Sequence, residues 1–161
     1  MLTVERLRAD HAPALLAFER ENRAYFARSV SDRGDAYFAE FADRHRALLA
    51  EQEAGLVHLH VVLDEEGGLV GRVNLICDGP NAPELGYRIA RRTAGRGVAT
   101  AAVAEVCRLA AEAYGLVELW AVTTPDNAAS RRVLERNAFR LVGEQPTRTG
   151  RPGLLHHRAL P

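Results

Sequence analysis

Arginine and glycine residues are concentrated in the middle of the chain, in a pattern typical of an anion-binding loop. Residues 91–100 read Arg-Arg-Thr-Ala-Gly-Arg-Gly-Val-Ala-Thr, after a strand-like run and before an alanine-rich helical pattern that extends to Tyr114. Gly95 and Gly97 allow the backbone to bend, so that peptide N–H groups can converge where the helix begins. The helix dipole adds partial positive charge at that point. The loop is therefore predicted to bind a phosphate or pyrophosphate group.

Two glycines near a helix start also occur in ordinary turns, so the wider pattern decides which phosphate site the loop resembles. The Gly-x4-Gly-Lys-Ser/Thr loop is absent, and the dinucleotide pattern fails because Thr100 stands at its third glycine. Arg92-x-x-Gly95-x-Gly97 instead resembles the acyl-CoA pyrophosphate loop, Gln/Arg-x-x-Gly-x-Gly/Ala, of the GNAT acetyltransferases. This resemblance implies acetyl-CoA as cofactor, held by Ile89, Ala90, Arg91, Arg92, Gly95, Arg96, Gly97, Val98, Ala99 and Thr100.

Composition limits the classes of protein to be considered. The chain has 161 residues, 47% of them hydrophobic, which is enough for one domain, 1–161, with its own core. Its formal net charge is zero, so no nucleic-acid partner is expected. Cys77 and Cys107 lack the paired spacing of a zinc site, so no metal is expected. No signal-peptide pattern or long apolar span is present, so we expect a cytoplasmic protein without membrane contact.

Periodicity predicts the element order β-α-α-β-β-β-α-β-α-β-β. The first helix is expected to follow Asp10 as its N-cap, and the second to extend from about Asp35 to Glu53. An antiparallel meander followed by a helical crossover indicates an α/β (α+β) fold, with a mixed sheet and helices on both faces. The predicted strands are 2–7, 56–64, 69–77, 84–90, 117–123, 139–143 and 154–159.

Three further segments extend the resemblance to the RimJ/RimL branch of the GNAT family, which contains ribosomal-protein N-terminal acetyltransferases. They are Pro-Glu-Leu-Gly-Tyr at 83–87, Thr-Pro-Asp-Asn-Ala-Ala-Ser-Arg at 124–131 and Glu-Arg-Asn-Ala-Phe at 135–139. The resemblance implies the GNAT fold, a mixed and mostly antiparallel sheet of about seven strands whose fourth and fifth strands splay apart. Acetyl-CoA would lie in that opening, with Asn127 bonded to the cofactor arm. Independently of the resemblance, Asp126 or Asn127 is expected to cap the helix that follows Pro125, and Asn127 could fill both roles.

The implied reaction is attack of a neutral amine on a thioester carbonyl, with a thiolate leaving. Glu84 heads the fourth strand and is the candidate base, acting through water, although a carboxylate at a strand end is as often simply solvated. Many GNAT enzymes carry a tyrosine as proton donor in the segment after the asparagine, but Leu134 stands at that position. Resemblance to the RimJ/RimL branch implies that Ser130 is the donor to the CoA sulfur and a cofactor contact, although a serine one turn into a helix is otherwise an ordinary surface residue.

Two departures from the branch affect the prediction. Ala138 replaces the glycine before a phenylalanine, so Asn137 is predicted to take the left-handed conformation that ends the helix. The tail contains no acidic residue near the last strand, where related enzymes often carry one that can face the acceptor. His156 or His157 could serve as the base instead, although strand alternation leaves at least one of them facing solvent.

The acceptor is the part of the function that the sequence constrains least. The family resemblance assigns the first two helices to one wall of the acceptor cleft. Candidate contacts are therefore Glu21, Asn22, Arg23, Tyr25 and Phe26, of which the aromatic residues could equally be core. A peptide α-amine, an aminoglycoside, a polyamine and a small amino acid remain open as acceptors, and a homodimer is expected from the branch. The competing function is an acyl-CoA-binding or regulatory domain that has lost turnover.

Overall fold

The computed structural model describes all residues, 1–161, as a seven-stranded sheet with helices around it. The strands are β1 (Thr3–Arg6), β2 (Val57–Leu63), β3 (Leu69–Ile76), β4 (Glu84–Ile89), β5 (Glu118–Thr123), β6 (Arg140–Glu144) and β7 (Leu154–Ala159). The helices are α1 (Ala12–Glu21), α2 (Arg23–Phe26), α3 (Asp35–Ala39), α4 (Phe41–Glu53), α5 (Val98–Glu112) and α6 (Ala128–Arg136). None of these helices has both the length and the apolar run that a membrane crossing requires.

The order of strands across the sheet is β1-β2-β3-β4-β5-β7-β6, and only β4 and β5 are parallel neighbours. The other neighbouring strands form extended antiparallel ladders, as β3 does with the whole of β4. β4 and β5 share a single register pair, Glu84 with Trp120, and the strands diverge beyond it. The predicted fold class, with its splayed fourth and fifth strands, is therefore confirmed.

Helices cover both faces of this sheet. Arg72 on β3 reaches Glu19 of α1, whereas His60 on β2 reaches Tyr114 directly after α5. His60 is paired in register with Val73, the neighbour of Arg72, so its side chain lies on the opposite face. α1 and α5 therefore lie on opposite faces, and the central strands are apolar on both sides. Their fully buried residues include Val61, Val62, Val70, Val73 and Leu75.

The first helix differs from prediction in its start and its continuity. Asp10 lies in a 3-10 turn, and the residue that precedes α1 is His11. The helix is broken at Asn22, whose side-chain NH₂ donates to the Phe18 carbonyl (N–O 3.0 Å) and whose Oδ1 accepts from the Arg91 N–H (3.0 Å). A side chain that bonds nearby backbone in this way competes with regular helix, so the chain turns here.

Two other helix boundaries also differ from prediction. The predicted second helix consists of α3 and α4, which are separated at Glu40. At the end of α6, Ala138 itself takes the left-handed conformation, with φ 64°, while Asn137 stays at φ −102°. The Asn137 side chain donates instead to the carbonyls of Thr100 and Val133, which ties α6 to the start of α5.

Candidate active site

A cavity of about 600 Å³ passes through the sheet where β4 and β5 diverge. Every residue of β4 lines it. Side chains alternate along a strand, so Tyr87 faces one side of the sheet while Glu84 and Arg88 face the other. Arg88 is paired in register with Arg72, which contacts α1, so the Tyr87 side is the α5 face. The cavity therefore has an α5 chamber, containing Tyr87, and an α1 chamber, containing Glu84 and Arg88.

The start of α5 forms one end of the α5 chamber. The first backbone hydrogen bond into this helix runs from the Ala101 N–H to the Gly97 carbonyl (N–O 3.0 Å), and the N–H groups of residues 95–100 have no protein acceptor. Gly95 and Gly97 lie at φ 76° and 77°, and a Cβ on either would meet no atom within 4 Å. Unpaired donors and open space at a helix N-terminus fit the pyrophosphate of acetyl-CoA.

Only some of the predicted loop residues line the cavity. Ala90 is buried, Arg91 lies in the turn before α5, Arg92 lies 3.5 Å from Asp64, and Arg96 is exposed; none of them lines the cavity. Two arginines of α6 that sequence analysis did not select do line it, and their position depends on how α6 packs beside α5. The predicted residues in the lining are Ile89, Gly95, Gly97, Val98, Ala99, Thr100, Asn127 and Ser130, and the additional arginines are Arg132 and Arg136.

Asn127 stands at the start of α6 and caps it. Its Oδ1 accepts a hydrogen bond from the Ser130 N–H (N–O 3.2 Å), so the predicted cap is confirmed. The NH₂ of the same amide has no protein acceptor, and the residue lines the cavity. One side chain can therefore cap the helix and still offer a donor to a ligand.

Ser130 lies beside a tyrosine that sequence analysis did not select. The Tyr87 hydroxyl donates to Ser130 Oγ (O–O 2.9 Å), and no protein group accepts the Ser130 hydroxyl hydrogen. Burial raises the pKa of Tyr87, so the phenol keeps its proton. Ser130 is left free to donate into the cavity, and the bond it accepts strengthens it as a donor. Alternation along β4 would have placed Tyr87 on this face; Leu134, where a tyrosine was expected, is buried.

Glu84 is the only acidic residue that lines the cavity. Its side chain is 16% exposed, and Oε1 lies 3.4 Å from Nη2 of Arg148 in the segment before β7. The two histidines considered as alternative bases do not line the cavity. His156 is buried, and His157 Nε2 lies 2.9 Å from Glu118 Oε1. Of these three candidates for the base, only Glu84 therefore lines the cavity.

The residues predicted to contact the acceptor separate into two groups. Tyr25 and Phe26 of α2 line the cavity. Glu21 is exposed outside it, and Asn22 is buried where its amide accepts from the loop backbone. Arg23 forms ion pairs with two aspartates outside the cavity. Of the predicted contacts, only the two aromatic residues are positioned to touch a ligand in the cavity.

A buried charge network that sequence analysis missed lies at the α1 chamber. Glu19, only 1% exposed, accepts from Arg33 through both carboxylate oxygens (3.1 and 3.0 Å) and from Arg72 (2.9 Å). Arg88 approaches the carboxylate only to 3.8 Å. Burial alone would raise the pKa of Glu19, but the surrounding arginines outweigh it and hold that pKa below its usual range. The three arginines also line the cavity.

The sequence matches the family model described as an acetyltransferase (GNAT) domain over residues 1–140. The match covers most of the chain, so this protein belongs to the GNAT acetyltransferase family and uses acetyl-CoA as acetyl donor. The predicted family and cofactor are confirmed. Comparison with curated protein sequences gives no significant match.

Solved structures with the same fold include RimJ, RimL and a ribosomal-protein-S5-alanine acetyltransferase. A ribosomal-protein-S5-alanine acetyltransferase from Vibrio fischeri is 21% identical, with a TM-score of 0.88, over 98% of this chain and 92% of that one. RimJ from Mycobacterium smegmatis, in complex with a CoA disulfide, is 22% identical, with a TM-score of 0.86, over 98% of this chain and 81% of that one. RimL, a ribosomal L7/L12 α-N-protein acetyltransferase in complex with coenzyme A, is 18% identical, with a TM-score of 0.85, over 99% of this chain and 94% of that one. At these identities the likeness shows a shared RimJ/RimL-like fold.

Gly97→Ala is expected to weaken acetyl-CoA binding by about tenfold or more, because the added Cβ occupies the space in front of the unpaired N–H groups. Left-handed φ also makes the substitution cost about 1–2 kcal/mol of stability. Gly55→Ala is a matched control, since Gly55 has φ 78°, equally open space and no place in the cavity. Calorimetric titration measures both affinities. Equal acetyl-CoA affinity of the two variants would contradict the assignment of the loop.

Proposed function

We propose that this protein is an N-acetyltransferase that moves the acetyl group of acetyl-CoA directly to a primary amine, with a protein N-terminal α-amine as the acceptor. The observation that carries the proposal is the continuous cavity through the sheet. Its α5 chamber contains the unpaired N–H groups of residues 95–100 and the Tyr87–Ser130 pair, and its α1 chamber contains Glu84. Two reactants can therefore meet from opposite faces.

The residues of the two chambers have different roles in the proposed reaction. When bound, acetyl-CoA supplies the thioester that the amine attacks. Glu84 accepts the proton of the attacking amine through a water molecule. Ser130 donates a hydrogen bond to the departing sulfur, and Tyr87 holds and polarises Ser130. The N–H groups of residues 95–100 hold the pyrophosphate, and Asn127 offers its free NH₂ to the cofactor arm.

An α-amine suits a site with a single carboxylate as base. Its pKa of about 7.7 to 8.0 leaves roughly a tenth of it neutral at pH 7, whereas a lysine side chain near 10.4 is neutral in fewer than about one molecule in a thousand. The positive charge of the arginines that line the cavity further favours the neutral amine. The described activities of RimL and of the Vibrio fischeri protein, on α-N-protein and ribosomal-protein-alanine acceptors, support the same class.

The alternative is a domain that binds acetyl-CoA without turnover, and release of free thiol separates the two. The purified protein is incubated with acetyl-CoA and a panel of peptides, aminoglycosides, polyamines and amino acids, and free CoA is titrated. Peptides with free α-amines are expected to release CoA, and peptides with blocked amino termini are not. Stabilisation by acetyl-CoA with no thiol released by any amine would establish the binding-only function. Stabilisation by NAD or ATP rather than CoA would contradict both.

We also propose a cytoplasmic homodimer. β6 is an edge strand whose five residues are all exposed, and Leu141 and Val142 are each 54% exposed. Exposed apolar residues on an unpaired strand edge favour association with another chain. Light scattering at micromolar concentration is expected to give the mass of a dimer, and Leu141→Lys with Val142→Lys should shift it to that of a monomer. A monomer mass for the unmodified protein would overturn the proposal.

A further inference from the structure

We propose that the acceptor carries an anionic group close to its amine, and that Arg88 in the α1 chamber binds that group. The inference rests on the proposed function, because it concerns the substrate of the same cavity. It identifies a chemical class, amines with a nearby carboxylate or an equivalent anion, that the fold alone does not specify.

The first observation is an excess of positive charge at the α1 chamber. Arg33, Arg72 and Arg88 surround a single buried carboxylate, that of Glu19. Three guanidinium groups against one carboxylate leave this network with a net charge of +2, although Arg33 and Arg72 both donate hydrogen bonds to Glu19. The one carboxylate that lines the cavity, Glu84, is paired with Arg148. Buried charges are normally paired, so this surplus indicates a missing anion.

The second observation is the isolation of Arg88 within that network. Arg33 and Arg72 satisfy Glu19 through hydrogen bonds of 2.9 to 3.1 Å, whereas Arg88 comes no closer than 3.8 Å and donates no hydrogen bond to any protein group. Its side chain is 19% exposed and lines the cavity. Burial, reinforced by the nearby positive charge of Arg33, lowers the pKa of Arg88 to about 10, which still leaves the group charged at neutral pH.

The position of Arg88 also suits recognition of an anion. Its guanidinium lies 5.1 Å from the centre of the Phe26 ring, within the range of a cation–π contact, and Glu84 lies on the same face of the same strand. A planar guanidinium binds a carboxylate through two parallel N–H···O bonds. An acceptor whose carboxylate bonds Arg88 would present its amine within the chamber that contains Glu84. An acidic side chain next to an α-amine, or the carboxylate of a free amino acid, meets this requirement.

The test compares matched acceptors in which a carboxylate replaces an amide. Ala-Asp and Ala-Asn peptides with amidated carboxyl ends form one pair, and alanine with alaninamide forms the other. The anionic member of at least one pair is expected to have about ten- to a hundredfold higher kcat/KM, the range of a charge-assisted hydrogen bond. A preference in the first pair identifies a peptide side chain as the anion. A preference in the second identifies a free amino acid, which would then replace the protein N-terminus as the proposed acceptor.

Substitution at Arg88 links that preference to the proposed residue. Arg88→Gln is expected to reduce the preference to about threefold or less, and Arg88→Lys to restore part of it. Arg20→Gln is the control, because Arg20 is exposed on α1 outside the cavity, and its preference should equal that of the parent. Glu19 keeps its bonds from Arg33 and Arg72 in every variant, so the fold should survive, and melting temperatures verify this.

A binding measurement separates recognition from turnover. Calorimetric titration of the CoA-loaded protein with acetylated Ala-Asp and Ala-Asn products should show tighter binding of the acidic product, and Arg88→Gln should abolish the difference. Equal kcat/KM within both pairs, or a preference unchanged in Arg88→Gln, would overturn the inference while leaving the N-acetyltransferase intact. If no amine in any pair released CoA, the proposed function would fail, and the inference with it.

Discussion

Ser130→Ala is expected to lower kcat by about ten- to a thousandfold while leaving acetyl-CoA affinity nearly unchanged. The sulfur gains charge only as the carbon–sulfur bond breaks, so a donor to it stabilises the transition state rather than bound acetyl-CoA. The substitution leaves the cap of α6 intact, because the residue 130 backbone N–H still donates to Asn127. Single-turnover rates and calorimetric affinities measure the two quantities separately.

Tyr87→Phe tests whether the tyrosine acts through Ser130. It removes only the hydroxyl that donates to Ser130 Oγ and should give a smaller loss of kcat than Ser130→Ala. Because the two side chains act in series, adding Tyr87→Phe to Ser130→Ala should cost little more. A double variant that multiplies the two losses would show that the tyrosine reaches the sulfur independently. If Ser130→Ala had the same kcat as the parent under conditions in which chemistry limits the rate, Ser130 would have no catalytic role and would be an ordinary helix residue.

Glu19→Gln is expected to destabilise the protein by about 3–5 kcal/mol at neutral pH, because it removes the only carboxylate among three largely buried arginines. Urea unfolding measures the loss. Glu105→Gln provides the comparison, since Glu105 forms a solvent-exposed pair with Arg108 on α5 and should change stability by no more than about 1 kcal/mol. Equal stability of the two variants would show that the network contributes little.

Acid should weaken the same network. The folded pKa of Glu19 lies below its unfolded value, so the unfolded chain takes up a proton first as the pH falls. The stabilisation is complete above the unfolded pKa of about 4.3 and is lost as the pH falls through the lower folded pKa. The difference in stability between parent and Glu19→Gln should therefore narrow in that acidic range. A difference that is constant with pH would indicate packing, rather than charge, as the cause.

The parts of the structure that depend on local pattern could be predicted from sequence. Strand alternation and helical periodicity act over a few residues, so the element order and the Arg92–Gly97 loop are recognisable without the fold. The Asn127 cap is also local, because a side-chain acceptor and the N–H it bonds lie three positions apart. Tyr87 could also have been selected, because side-chain alternation along β4 places it on the face opposite Glu84.

The Glu19 network could not be predicted from the sequence, for a physical reason. Its arginines come from distant parts of the chain, and in isolation each looks like an ordinary solvated side chain. Their convergence depends on how α1 packs on β3, which no local pattern encodes. Asn22 illustrates the same limit, because its bond to the Arg91 N–H joins two segments that only the folded sheet brings together. The break in the first helix and the Glu19 network at the α1 chamber therefore could not be predicted without the structure.

Initial-rate kinetics with both substrates varied test the central claim, that donor and acceptor occupy one cavity together and the amine attacks directly. A cavity lined by residues from both faces of the sheet can hold the two at once. Double-reciprocal plots against acetyl-CoA at several concentrations of a peptide α-amine are therefore expected to intersect. Parallel lines, together with an acetylated Ser130 trapped when acceptor is omitted, would show transfer through an acetyl-enzyme and would contradict the account.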